Sequence, residues 1–425
     1  MDLSLDRRTK VVCQSQSIIK LPSGCALFRG LFCLTFYLGG SLIMAEDSPQ
    51  FRGAQGDGVS LENDWSHQWG VSGPKEKWRA EIGTGFSNVV TSQGLLYALG
   101  NREGYDELCC RDAETGETVW MFKYASPLEA KDFEGGPTAT PVLSDGVLYL
   151  LSRGGVVYAL NAGVGSLRWQ KDVVGETGIR VPGWGFAGSP RVYGETLVLN
   201  IGDSGVALRK DNGDIKWASQ DRDAGYSSPV RFGNTASGSV IFGSGRSYVC
   251  VDLETGAEQW RQRWLTTFGC NAADAVVSGE MVFLSSGYSR GSALLDLSSG
   301  SPVIVWKHKD FKNQLGASVL LDGFLYGING DVDSGAILSC MDMDTGELAW
   351  DSSDLRAGSL IAAGDRLVVL SDSGVLMVIR ATSEKYDVLA THPVLTGRCW
   401  TAPVLSDGLL FCRNAEGTLV CLDLR

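Results

Sequence analysis

The chain has 425 residues, 37 of them basic and 49 acidic, for a formal net charge of −12. Charged residues are 20% and apolar residues 44%, which suits a globular chain and excludes disorder. No basic stripe is present to neutralise phosphates, which argues against a nucleic-acid partner. Glycine (54), cysteine (11) and tryptophan (12) are all abundant and call for an explanation.

The first element is a targeting segment, residues 1–45. Arg7, Arg8, Lys10 and Lys20 precede an apolar run at 31–44, LFCLTFYLGGSLIM. Its length suits a signal peptide and is short for a bilayer span. The alternative is a retained N-terminal anchor. Removal takes away five basic and two acidic groups and leaves a charge of −15. No later stretch is apolar enough to span a membrane. Residues 46–74 form a lead-in, whose segment 49–58, PQFRGAQGDG, carries turn chemistry. Residues 75–82, KEKWRAEI, read as one strand with a Trp and no partner strands before it.

From there the chain repeats. Asp112-Ala-Glu-Thr-Gly116-Glu-Thr-Val-Trp120 recurs at Asp252 to Trp260 and at Asp342 to Trp350. Looser copies end at Trp169 and Trp217, and the copy ending at Trp306 carries a two-residue insertion. Trp78, Trp120, Trp169, Trp217, Trp260, Trp306 and Trp350 lie 42 to 49 residues apart, the period of a propeller blade. Each unit reads as strands A to D. Asp145-Gly146 joins A to B as a hairpin signal. The Asx-x-x-Thr-Gly turn joins C to D, and strand D ends at a Trp that packs between blades. Residues 359–390 read as a degenerate seventh unit without the turn Gly and the Trp. The eighth, from residue 402 on, lacks strand D, which residues 75–82 would supply. This predicts an all-β, eight-bladed β-propeller at 75–425 of four-stranded antiparallel blades, closed by the N-terminal strand. Seven blades is the alternative, and one closed ring implies a monomer.

The Ala-x-Asp-Ala-x-Thr-Gly-x-x-x-Trp pattern resembles the pyrroloquinoline-quinone (PQQ) repeat. That repeat is shared by quinoprotein dehydrogenases and by BamB-like scaffold propellers of the bacterial envelope. The resemblance implies an exported, non-catalytic scaffold of the periplasm or cell envelope that binds other envelope proteins or peptide segments. The alternative it implies is a PQQ-dependent alcohol or sugar dehydrogenase with Ca²⁺. Such dehydrogenases carry a vicinal disulfide beside the quinone, which makes Cys109-Cys110 a candidate pair. The repeat alignment offers another reading. Cys110, Cys250, Cys340 and Cys421 fall in one strand C column with Ala159, Ala207 and Leu294, where free Cys serves as a small hydrophobe.

No reaction centre is legible. His67, His308 and His392 show no ligand spacing, no Cys-x-x-Cys exists, and no Gly-rich run is followed by Lys-Ser/Thr. The nearest approach to a Ca²⁺ loop, 329–335, lacks the remaining ligands. No cofactor and no metal is therefore expected from the residues themselves. A propeller ligand site lies where the loops before strand A line the channel. Aligning that loop selects Phe86, Thr138, Phe186, Tyr226, Asn271 and Trp400, with Trp184 and Arg398 nearby. These aromatics either stack on a ligand or a partner peptide, or plug the channel.

Overall fold

The repeated unit folds as a four-stranded antiparallel sheet. The computed structural model describes residues 46–220, 223–233 and 238–425; the targeting segment 1–45 lies outside them. The second unit consists of Val142–Ser144, Val147–Leu151, Val156–Asn161 and Leu167–Asp172, each strand paired with the next. Asp145 (φ 49°) and Gly146 (φ 73°) are both left-handed, as a two-residue hairpin turn matched to strand twist requires. In the C–D turn, Asp112 Oδ1 accepts the backbone N–H groups of Glu114 and Thr115 and the Thr115 hydroxyl. Asp252 repeats all three bonds.

The strand D tryptophan joins neighbouring blades. Trp78 Nε1 donates to Ala113 O at 2.9 Å, Trp120 to Ala162 O at 3.0 Å and Trp217 to Leu253 O at 2.9 Å. Each acceptor is the second residue of the next blade's C–D turn. The indole lies flat on the turn glycine: a Cβ on Gly116 would sit 2.6 Å from the Trp78 ring, and Gly116 also has φ +74°. That glycine is required twice, for the turn and for the docking. Within its own blade, each tryptophan stands opposite the small-residue column. Cys110 pairs with Trp120, Ala159 with Trp169, Cys250 with Trp260, Cys340 with Trp350 and Cys421 with Trp78. The column is packing chemistry, and its four cysteines are free and buried.

Among the described residues there are eight such sheets. The degenerate seventh unit is a full blade, Gly358–Ala363, Arg366–Ser371, Val375–Arg380 and Val388–Pro393. Its Trp position is Ala390, opposite Val378. The eighth blade takes Lys75–Glu81 as its outer strand against Thr418–Asp423, so the ring is closed by strand pairing between its two ends. Ion pairs of Lys77 with Glu114 and of Arg425 with Glu114 and Asp423 fasten that seam.

The lead-in does more than turn. It crosses the channel at the end of the A–B hairpins. Ser48 exchanges bonds with Thr91 of blade 1, Pro49 O accepts Leu143 N–H of blade 2, and Phe51 O accepts Arg191 of blade 3. Arg52 donates to Ala317 O and Ser318 O of blade 6 at 2.7 and 2.8 Å. Val59–Ser60 then adds a parallel fifth strand to the inner edge of blade 7. Three positive-φ glycines, Gly53, Gly56 and Gly58, let the segment fold back on itself in that space.

Candidate functional site

With the hairpin end plugged, the channel remains open at the end where the loops enter strand A. There it holds a cavity of about 280 Å³. A belt of side-chain oxygens sets its waist. Asn88 N–H donates to Thr140 Oγ1, Thr140 N–H to Ser189 Oγ, Ser189 N–H to Ser228 Oγ, and Ser228 N–H to Asp274 Oδ1 at 2.6 Å. Each bond ties one blade to the next. The sequence signal for this belt is the Ser/Thr-Pro pair before strand A (140–141, 189–190, 228–229), which the repeat reading passed over.

Two residues before each belt position, the side chain points into the cavity. Phe86, Thr138, Ala187, Tyr226 and Ala272 occupy this column and all line the wall, as does Trp400. Of the aligned residues, Phe86, Thr138, Tyr226 and Trp400 line the cavity, while Phe186 and Asn271 miss it by one residue. In an extended segment a slip of one turns the side chain to the opposite side. Phe186 is wholly buried in the core between blades 2 and 3. Asn271 is wholly buried too: its amide donates to Ser244 O and Trp264 O, and its Oδ1 accepts from the Ser286 hydroxyl.

The aromatics gather into two groups. In one, Phe86 packs against Phe133 and Trp400 with ring centroids 5.5 and 5.6 Å away. Arg398 lies 4.3 Å over Trp400 and pairs with Glu134 at 3.2 Å, so this group already carries its own cation. In the other, Trp184 meets Tyr226 at 5.6 Å and Phe268 at 6.0 Å, and Phe268 meets Tyr288 at 6.0 Å. Trp184 Nε1 donates to Asp132 Oδ2, which ties two top loops together. Phe268, which the alignment did not select, is 73% exposed and held at φ 62°, a left-handed conformation uncommon for a bulky residue.

Four titratable groups here are pushed toward their neutral forms. Burial raises the Tyr226 and Tyr288 phenols to about 12 and the Cys270 thiol to about 11. Burial also raises Asp274, against the opposing pull of Arg52 and Arg191. Neither phenol nor the thiol is an ionised base or nucleophile at neutral pH. Among the described residues no group of three His, Cys, Asp or Glu could hold a metal ion. A quinone tricarboxylate held through Ca²⁺ does not fit this donor set. The charged lining is one guanidinium, Arg52, already bonded to backbone carbonyls, against Asp132, Asp274 and Asp333. Cys109 and Cys110 are free thiols whose side chains enter two different cores, and neither lines the cavity.

The comparisons with known proteins agree with the ring and its repeat. The profile described as outer membrane protein assembly factor BamB matches residues 62–177 and 126–352. Outer membrane protein assembly factor BamB of Yersinia pestis is 27% identical over 382 residues, covering 81% of this chain and 88% of that protein. The crystal structure of BamB from Moraxella catarrhalis superposes with a TM-score of 0.62 at 15% identity, over 82% of this chain and 99% of that one. Quinohemoprotein alcohol dehydrogenase from Comamonas testosteroni superposes with a TM-score of 0.65 at 14% identity, over 89% of this chain and 80% of that one, which shows a shared fold. With the profile matched over more than half its length, the chain belongs to the family of outer membrane protein assembly factor BamB.

Proposed function

We propose that this chain is an exported, non-catalytic propeller that presents its loop-end face to other proteins of the cell envelope. The observation that carries the reading is the rim itself. Trp184, Tyr226, Phe268 and Tyr288 stand around an open cavity, and burial keeps the Tyr226 and Tyr288 phenols neutral. Aromatics of this kind, partly exposed on a rigid scaffold with Phe268 standing clear, are the side chains that anchor protein partners. The basic apolar start of the sequence supports export, and the names of the relatives supports envelope work with other proteins. The rigid ring fits a scaffold, because each loop springs from a blade fixed on both sides.

The test uses the mature chain recovered from its own envelope after gentle crosslinking. Partners recovered with the wild type should be lost from Trp184→Ala, with the melting temperature unchanged. Equal recovery would remove the rim from the account. Adding PQQ with Ca²⁺ separates the quinoprotein reading: a saturable change in the visible spectrum, with turnover of an alcohol, would overturn the non-catalytic one.

A further inference from the structure

A second feature of the loop-end face lies outside the cavity, at the outer part of blade 5. Trp264 follows strand D of blade 4 and is wholly buried. Two cations cover it. The Arg290 guanidinium sits 3.9 Å from the ring centroid and the Lys307 ammonium 5.6 Å from it. Arg290 belongs to the B–C turn of blade 5 and Lys307 to its outer strand, Val303–His308; Lys309 follows. Buried guanidiniums elsewhere in this ring reach acceptors through their terminal nitrogens. Arg52 and Arg413 reach backbone carbonyls, and Arg153 reaches Gly136 O and Glu129. Arg290 differs: among the described residues no carbonyl or carboxylate accepts from its guanidinium, and its Nε, like those of Arg52 and Arg153, is buried without an acceptor. Its only near charges are repulsive. Lys307 is lowered by burial first and then by Arg290 and Lys309. In a chain of net negative charge, three cations are gathered here with no anion of their own.

The neighbouring strand is equally unpartnered. Val303–His308 is the outer strand of its sheet, so one row of its backbone N–H and C=O groups is unpaired. Val303, Ile304 and Val305 are 56%, 44% and 50% exposed. Thr118–Ala125 (TVWMFKYA) and Leu348–Asp351 (LAWD) are likewise uncharged before their Trp, whereas Glu258–Arg263 (EQWRQR) and Leu167–Asp172 (LRWQKD) carry charges there. That is the usual protection against strand addition, and blade 5 lacks it over these three residues.

We propose that Arg290, Lys307 and Lys309, with the edge Val303–His308, dock an extended, carboxylate-bearing segment of a partner protein. The stacked guanidinium is held in place and its fork is free, which suits bidentate capture of a carboxylate. The open edge supplies ladder bonds along an extended chain, and the β-branched residues supply apolar contact on alternate positions. An isolated anion would use the cations and leave the strand bare; an extended acidic segment uses both. The inference rests on the protein-binding reading, at a site separate from the aromatic rim.

The probe is a fluorescently labelled peptide alternating valine with aspartate and glutamate, followed by anisotropy against the whole mature chain. Binding should weaken about tenfold in Arg290→Gln/Lys307→Gln, and about as much when the peptide's acids become amides. It should recover in part with Arg290→Lys and stay unchanged in Trp184→Ala. Melting temperatures of all variants establish that they are folded. Absence of binding by the wild type, equal binding of the amide peptide, or an unaffected double variant would each overturn the proposal. So would binding to vesicles of phosphatidylglycerol in preference to the peptide. Loss of envelope partners in Trp184→Ala alongside a failed peptide assay would leave the rim reading standing and this one refuted.

Discussion

Trp217 donates its indole N–H to Leu253 O, but Trp260 has no acceptor for the same atom. The cause is the insertion in the next blade's turn. There Leu297 O, the equivalent carbonyl, accepts Gly300 N–H at 2.8 Å and is turned into its own loop. Trp217→Phe and Trp260→Phe lose similar ring area, but only the first loses a bond. Trp217→Phe should therefore cost about 1 kcal/mol more, read as the difference in denaturant midpoint at constant slope. Equal costs would remove the indole bond from the docking account. The insertion was visible in the sequence; the orphaned nitrogen was not, because it depends on where one carbonyl points. The same limit explains Phe186 and Asn271. The repeat shows which loop lines the channel, but an alignment slip of one residue exchanges the wall for the core, and Ala187 and Ala272 have no side chain that draws notice.

Strands A to D of each blade were legible because their turns are specified chemically. The Asp-Gly hairpins and Asx-Thr-Gly turns fix where one strand ends and the next begins, so the closing strand at 75–82 was readable from its Trp alone. The lead-in was not, since turn-forming residues reveal nothing about which carbonyls Arg52 will reach across the channel. The closing seam yields a pH prediction. The Arg425 guanidinium on Asp423 holds its carboxyl at about 2, and Arg425 with Lys77 also lowers Glu114. A depressed carboxylate stabilises the fold above its unfolded value, near 4, and that contribution fades as pH falls through about 2. Asp423→Asn should lower stability by at most about 1 kcal/mol at neutral pH, given the partial exposure of the pair. Melting temperatures of the two proteins should converge as pH drops from about 4 toward 2. A gap that persists at pH 2 would mean the asparagine acts through packing instead.

At the scale of the whole molecule, the ring has one closed end and one open end. The lead-in fills the hairpin end with bonds to blades 1, 2, 3 and 6 and a strand on blade 7. The loop end carries the cavity and its aromatics. Repetition makes the ring rigid and leaves the open face free to vary, which is why the fold was readable and the partner is not: its identity is held in loops outside the repeat. The direct test is site-specific photocrosslinking in the envelope, with benzoylphenylalanine at Phe268 on the loop end and, as control, at Glu117 beside a C–D turn on the other end. The account predicts discrete protein adducts from position 268 and none from 117. Adducts from 117 alone, or none from either position, would contradict it.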